Sequence, residues 1–332
     1  MSGLGQRAPL GDTHPLPGEL VSGSPPRAAL VSVDGTAFAG RYRLRCLRGE
    51  GGMAMVYDAV DLGSGGLVAV KMLRYELIRN QEARLRFRCE GQMAARVAHP
   101  NVVALHGVNR DADDRPFLVM EHLQGHTLGE IIAREGALPV ERALRIAIQA
   151  CRALRAVHCA GIIHRDVKPD NLFVCPGPQG TDQVKLLDFG IGKVCAPQDP
   201  VAQTIEALDC GRVVGTPHYM APEQVCAPET VNEQTDVFAL GVVLREALTG
   251  VRPHDGKSGG TIIDALLTDP MSAAAAYHPP VGAQHVPLID LDEVIALAHA
   301  PDRRQRYTSA RSFGDALAAV LRALAVSSAR AA

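Results

Sequence analysis

Among the eight cysteines, Cys46, Cys89, Cys151, Cys159, Cys175, Cys195, Cys210 and Cys226, there is no C-x-x-C pair, and no histidine stands near them at zinc-ligand spacing. That excludes a zinc-finger framework and reads as reduced thiols of a cytosolic chain. His122 and His126 lie four apart, but Gly125 between them and the lack of a third ligand make them ordinary surface histidines. No apolar run reaches the roughly 18 residues of a membrane-spanning helix, and no basic segment followed by an apolar one opens the chain. The expectation is a soluble, unanchored, cytoplasmic protein. Charge of one sign is lacking too: 34 basic against 36 acidic residues leave a net charge of −2, with no footprint for nucleic acid or a membrane surface. Lysine is scarce beside arginine, which reads as codon composition rather than a phosphate-binding bias.

What is present is enough to bury one large core or two smaller ones, with 47% hydrophobic and 21% charged residues in 332. Residues 1 to 40 are rich in Gly, Pro and Ser and read as a flexible extension. From Arg41 short strand-like runs follow, such as Leu67-Val68-Ala69-Val70-Lys71-Met72 and Phe117-Leu118-Val119-Met120, interrupted by one helix around 77 to 97. After Gly125 the pattern turns helical. Val140, Leu144, Ala147, Cys151, Leu154 and Val157 form one apolar stripe over 139 to 159, with Gly161 as a stop. Further helices are expected over Asp236 to Thr249, closed by Gly250, and Ser312 to Ala325. The class is α+β: a small strand-rich lobe over about 41–120, a connection at 121–125, a larger helical lobe over about 126–325, and a tail at 326–332. The cleft between the lobes is the expected ligand site.

Four motifs follow in order. Gly49-Glu50-Gly51-Gly52-Met53-Ala54-Met55-Val56 lies between strand-like runs, where glycines let a hairpin backbone lie close over phosphates. Val68-Ala69-Val70-Lys71 places an ammonium on a strand, and Glu90 on the next helical segment is a carboxylate able to pair with it. His164-Arg165-Asp166-Val167-Lys168-Pro169-Asp170-Asn171 follows the long helix, and Asp188-Phe189-Gly190 lies beyond the strand-like Val184-Lys185-Leu186-Leu187. Any one of these occurs in polar turns by chance; their agreement in this order does not.

Together the motifs resemble those of the eukaryotic-like serine/threonine protein kinases, the bacterial ones above all, from about Arg41 to Ala325. The resemblance implies a bilobal protein-kinase fold that uses ATP with Mg²⁺, or Mn²⁺ in its place. The implied reaction passes the γ-phosphoryl group to protein Ser/Thr hydroxyls, autophosphorylation included. It implies that Gly49, Glu50, Gly51, Gly52, Met53 and Ala54 cover the nucleotide, with Ala54 where the family has a third glycine, at a cost in loop flexibility and nucleotide affinity. Lys71 would meet the α- and β-phosphates, fixed by Glu90. Asp166 would take or orient the substrate proton, Lys168 would stabilise the transferring group, and Asn171 and Asp188 would hold the metal. Met120 is the implied gatekeeper, with Glu121, His122 and Leu123 as the hinge and Val56, Ala69 and Phe173 around the adenine. Phe189 would pack beneath the helix bearing Glu90. In Gly215-Thr216-Pro217-His218-Tyr219-Met220-Ala221-Pro222-Glu223, Thr216 would bond near Asp166 and Lys168, Glu223 would pair with Arg306, and Asp236 would cap the catalytic loop. Ile191 leans towards threonine as acceptor. The implied partners are protein substrates, neither nucleic acid nor membrane, and pairing of two kinase domains stays open.

One departure stands out. In the family, an arginine such as Arg165 meets a phosphorylated Ser or Thr some six or eight residues before the Thr216 position, where this chain has Cys210 and Leu208 flanking Asp209. Between Asp188 and Thr216 the only hydroxyl residue is Thr204. Either Asp209, or no anion at all, orders the segment, or Thr204 serves in a longer loop. A thiol switch at Cys195 or Cys210 is a further alternative. Two rival functions remain at this level: a pseudokinase that binds without turnover, for which only Ala54 speaks, and a small-molecule phosphotransferase, which would not need the Gly215-to-Glu223 platform.

Overall fold

The computed structural model describes residues 37–189, 192–209, 213–254, 256–268 and 291–331. The readings for residues 1–36, Gly190, Ile191 and Cys210 lie outside the described residues.

The first layer is an antiparallel sheet of β1 (Tyr42–Glu50), β2 (Ala54–Asp61), β3 (Leu67–Leu73), β4 (Leu105–Arg110) and β5 (Pro116–Glu121), in the order β1-β2-β3-β5-β4. The pleat divides β3 between two environments. Val68, Val70 and Met72 enter a core with Tyr42, Leu44, Tyr57, Ala59, Phe117 and Val119, which leaves Ala69, Lys71 and Leu73 on the opposite face. Leu73 packs there with Phe87 of α1 (Gln81–Ala94), the single α-helix of this lobe among the described residues. Helix α1 is shorter than the expected 77 to 97 because Asn80 caps it, its side chain accepting from the Ala83 amide at 3.0 Å.

The second lobe opens with β6 (His126–Thr127), α2 (Leu128–Glu135) and α3 (Val140–Cys159). Leu144, Ala147, Cys151, Leu154 and Val157 are all buried, and Ala143, Ile146, Ala150 and Ala153 join them. Small residues on that second face let other helices come close, so the buried face of α3 is broader than the stripe, while Glu141, Arg145, Arg152, Arg155 and Cys159 keep one face exposed. It ends as its glycine requires, Gly161 taking φ 72° just beyond. Then come β7 (Ile162–Ile163), β8 (Leu172–Pro176), β9 (Asp182–Leu186), β10 (Lys193–Val194), α4 (Pro200–Asp209) and α5 (Pro222–Cys226). Helix α6 (Glu233–Thr249) starts earlier than expected, because Asn232 caps it by accepting from Gln234 N at 3.0 Å, and stops at left-handed Gly250. Helices α7 (Gly259–Thr268), α8 (Leu291–Ala298) and α9 (Ala310–Ala331) complete the lobe.

Two boundaries differ from expectation. Helix α9 runs to Ala331, through the expected tail, where neither glycine nor proline interrupts it. At the other end, Phe38 belongs to the folded lobe rather than to the extension: its backbone exchanges hydrogen bonds with Tyr42, and its ring meets Phe117 edge-on at 4.9 Å. Phe38→Ala should therefore lower stability by about 1–3 kcal/mol, read as a fall in Tm of a few degrees. An unchanged Tm would show that the aromatic contact contributes nothing.

Candidate active site

Between the lobes lies a cavity of about 410 Å³. Its roof includes Gly49, Val56 and Ala69, its floor Phe173 and Leu187, and its back wall Met120, Lys71, Glu90 and Asp188. Glu121 and Leu123 of the connection line its edge. The Glu121 carboxylate itself is held elsewhere, accepting from Lys185 Nζ at 2.6 Å and Ala104 N at 2.7 Å. With the side chain so held, backbone groups are what the connection offers a ligand. Gly125 takes φ 135° there, and a Cβ would come within 2.1 Å of the Val174 carbonyl, so only glycine fits.

The rest of the glycine-rich segment forms the hairpin tip outside the cavity lining. Gly51 N donates to the Ala54 carbonyl at 2.9 Å, Glu50 pairs with Arg74 at 2.8 Å, and Met53 packs towards the core beneath. Ala54 is buried with Leu73, Ala83, Phe87 and Leu118. Its methyl fills core space, which gives a packing reason for alanine at this position. Residues not singled out from the sequence also line the cavity, Arg48, Asp58, Val103, Thr127 and Glu130, and so does His126, set aside there as a surface histidine. A signal for Glu130 was available. Thr127-Leu128-Gly129-Glu130 is a capping box, with Glu130 N donating to Thr127 Oγ1 at 3.1 Å and Thr127 N to Glu130 Oε2 at 2.9 Å. His122 contacts Asp58 at 3.2 Å, and the described residues contain no cluster of three or more His, Cys, Asp or Glu able to hold a metal alone.

At the back of the cleft Lys71 Nζ donates to Glu90 Oε1 at 2.5 Å and also bonds Asp188. One ammonium between two carboxylates leaves excess negative charge. Burial pushes the Glu90 carboxyl up to about 8, with the Lys71 charge opposing it and Asp188 adding to it. Burial alone would lower Lys71, yet the charges of Asp188 and Glu90 outweigh it and raise its pKa above the usual lysine range. For Asp188, desolvation is outweighed by the Lys71 ammonium, and the carboxyl stays below the usual range. Phe189 is fully buried beside the His164 ring, in the same core as Met93 of α1.

The catalytic-loop residues converge at the mouth. Thr216 Oγ1 donates to Asp166 Oδ1 at 2.6 Å, and Lys168 Nζ reaches Asp166 Oδ2 at 2.7 Å and Thr216 Oγ1 at 3.0 Å. Asn171 Nδ2 donates to the Asp166 carbonyl at 2.8 Å and to its Oδ2 at 3.2 Å, which turns the amide oxygen away from that carboxylate. Asn171 and Asp188 thus offer two hard oxygens, and a divalent cation held there would need phosphate or water oxygens to complete its shell, as Mg²⁺ with a nucleotide provides. The donor set fits that ion.

Behind the loop, the Asp236 carboxylate accepts from His164 N at 2.9 Å, Arg165 N at 2.8 Å and His158 Nε2 at 2.7 Å. Burial would raise its pKa, but these donors together with the nearby His164 lower it. Arg165 is held in the left-handed region at φ 65°, and its guanidinium bonds Asp209 Oδ2 at 2.5 Å. Thr204 sits within α4, its hydroxyl donating to the Pro200 carbonyl at 2.8 Å. Below the platform, Glu223 and Arg306 form a two-bond pair at 2.7 and 2.9 Å, with the guanidinium 4.8 Å over the Phe238 ring.

This arrangement has counterparts among known proteins. The family profile described as Protein kinase domain matches residues 42–310. The chain is 38% identical over 294 residues to the serine/threonine-protein kinase PknA of Mycobacterium tuberculosis, covering 86% of this chain and 62% of that protein. It is 38% identical over 274 residues to the serine/threonine-protein kinase PknB of Mycobacterium leprae, covering 81% and 41%. The chain thus spans less than two thirds of the length of these curated relatives. Among solved structures, the PknI kinase domain of Mycobacterium tuberculosis matches with a TM-score of 0.62 at 26% identity, over 87% of this chain and 100% of that one.

Two outcomes follow from the buried charges. Arg306→Ala leaves the Glu223 carboxylate unpaired and should cost about 3–5 kcal/mol, measured by denaturant unfolding. Because the folded-state pKa of Asp236 is depressed, its contribution to stability is fully present above the unfolded carboxylate value of about 4 and is lost as pH falls through the lower folded value. Asp236→Asn should flatten the acid limb of a stability–pH profile. An unaltered limb would mean that this carboxylate does not couple folding to protons.

Proposed function

The chain belongs to the protein kinase family, and we propose that it transfers the γ-phosphoryl group of ATP to Ser or Thr hydroxyls of proteins, its own chain included. The observation that carries this reading is the grouping of Asp166, Lys168, Thr216 and Asn171 at the mouth of a cleft whose back wall holds the Lys71–Glu90 pair.

Asp166 Oδ1 accepts a hydrogen bond from the Thr216 hydroxyl, so a substrate hydroxyl brought to the same carboxylate has an acceptor within hydrogen-bond reach. Lys168 bridges Asp166 and Thr216, where its charge would offset the negative charge of the group being transferred. Lys71, oriented by Glu90, would hold the nucleotide phosphates, and Asn171 and Asp188 would hold the divalent ion. When bound, that ion supplies charge neutralisation of the phosphate oxygens. The adenine would lie between Val56, Ala69 and Phe173, with the connection's backbone at its edge. The pseudokinase alternative is disfavoured by the presence of all four of Lys71, Asp166, Asn171 and Asp188. Protein substrates are favoured over small molecules by the Gly215-to-Glu223 platform, which the Glu223–Arg306 pair anchors. The seven described cysteines are free thiols, four of them exposed, which supports a reducing, cytoplasmic setting.

Incubation with Mg·ATP and a generic protein substrate should label the substrate. Asp166→Asn should cut the rate by about 10²–10⁴-fold, and Lys71→Met should abolish transfer. Nucleotide binding without a labelled protein in the wild type would identify a binding module instead. ATP consumption that depends on a small alcohol, with no labelled protein, would favour the small-molecule reading.

A further inference from the structure

Helix α4 lies in the segment between Asp188 and the platform at Thr216, and it is fastened at one end to α1 and at the other to the turn that follows α1. At its C-terminal end, Asp209 Oδ1 meets Arg86 Nη1 at 2.9 Å, and Arg86 Nη2 donates to the Leu208 carbonyl at 2.9 Å. At its N-terminal end, Asp199 accepts from both amino groups of Arg96 at 2.7 and 3.1 Å, and from its own Val201 amide at 2.8 Å. The arginines are ten residues apart and so are the aspartates, in opposite order, so the two helical segments run antiparallel with matched spans. Val201, Ala202 and Ile205 share an apolar core with Cys89, Met93 and Ala94. Glu90, the partner of Lys71, lies between the two fastenings.

Asp209 does more than close one end. Its second oxygen bonds Arg165, the residue before Asp166, so one carboxylate joins α1, α4 and the catalytic loop. Its side chain is 11% exposed, and those of Arg165 and Arg86 are 8% and 15% exposed. These are shielded, charge-assisted bonds rather than screened surface pairs. A phosphorylated hydroxyl would bring about −1.5 to −2 charge to such an arginine pair. Here a permanent carboxylate occupies that place.

We propose that Asp209 is a positioning residue: a built-in carboxylate latch that keeps Glu90 and Asp166 in register without phosphorylation of the segment. This rests on the phosphotransfer reading and gives it a regulatory character, an enzyme whose loop order is intrinsic. The latch acts through Arg86 on the Glu90 helix and through Arg165 on the catalytic loop, so its loss should lower kcat.

The test uses the full chain, treated with phosphatase and checked by intact mass. Asp209→Asn and Arg86→Gln should each lower kcat at least tenfold. The double variant should be no worse than the poorer single one, since both remove the same contact. Asp209→Glu should recover part of the loss, and Thr204→Ala should stay within twofold of wild type. Amide exchange in α1 and α4 should rise in Asp209→Asn, a readout that needs no phosphotransfer. An Asp209→Asn variant within twofold of wild type, unchanged exchange, or a tenfold loss in Thr204→Ala would each overturn the latch. A wild type that labels no protein would sink the phosphotransfer reading, while the exchange arm would still decide whether the latch exists.

Discussion

The catalytic loop depends on how Arg165 is held. A bulky residue at φ 65° is disfavoured by backbone sterics and persists only where its surroundings outweigh the strain. Contacts on every polar group do so: its amide donates to Asp236, its carbonyl accepts from Gln224 at 3.0 Å, and its guanidinium bonds Asp209 and the Gly192 carbonyl. Asp236 can serve because its buried charge is satisfied by two loop amides and His158. Gly215 completes the site, since a Cβ there would press within 3.1 Å of the same Arg165 carbonyl. Loosening any of these bears on Asp166 next in sequence.

The same logic of shared partners extends across the cleft. Lys71 from β3 meets Glu90 from α1 and Asp188 from the segment after β9, so the ammonium joins the two lobes. Removing it would leave two neighbouring carboxylates uncompensated, one of them already driven towards its neutral form by burial. Position and protonation in the cleft are therefore properties of the group, not of any one side chain. The platform below is anchored in the same manner, with Glu223 shared between Arg306 and the Thr235 hydroxyl at 2.9 Å.

Much of this was readable from local pattern. The period-two alternation of β3 puts Lys71 on the face opposite Val70 and Met72, and the stripe of α3 leads the chain to His164. The motif residues at the cleft carry their chemistry in their identities. The pattern was weaker where a residue's role depends on what packs against it. Ala54 read as a departure from a glycine until its methyl was seen within the core. Phe38 read as part of a polar extension because its ring partner, Phe117, is distant in sequence. The capping box of Thr127 and Glu130 is complete in the sequence, but nothing local places it in the cavity wall.

By itself the sequence determined the class of fold, the order of its strands and helices, and which side chains bring charge to the cleft, because these follow from periodicity and residue type within a few turns of chain. Only the tertiary structure decided which charges meet. Arg86 and Asp209 are separated by 123 residues, and Arg165 and Asp209 by 44. No local rule pairs an arginine of α1 with an aspartate at the end of α4, since that contact exists only once the two helices lie antiparallel over a common core.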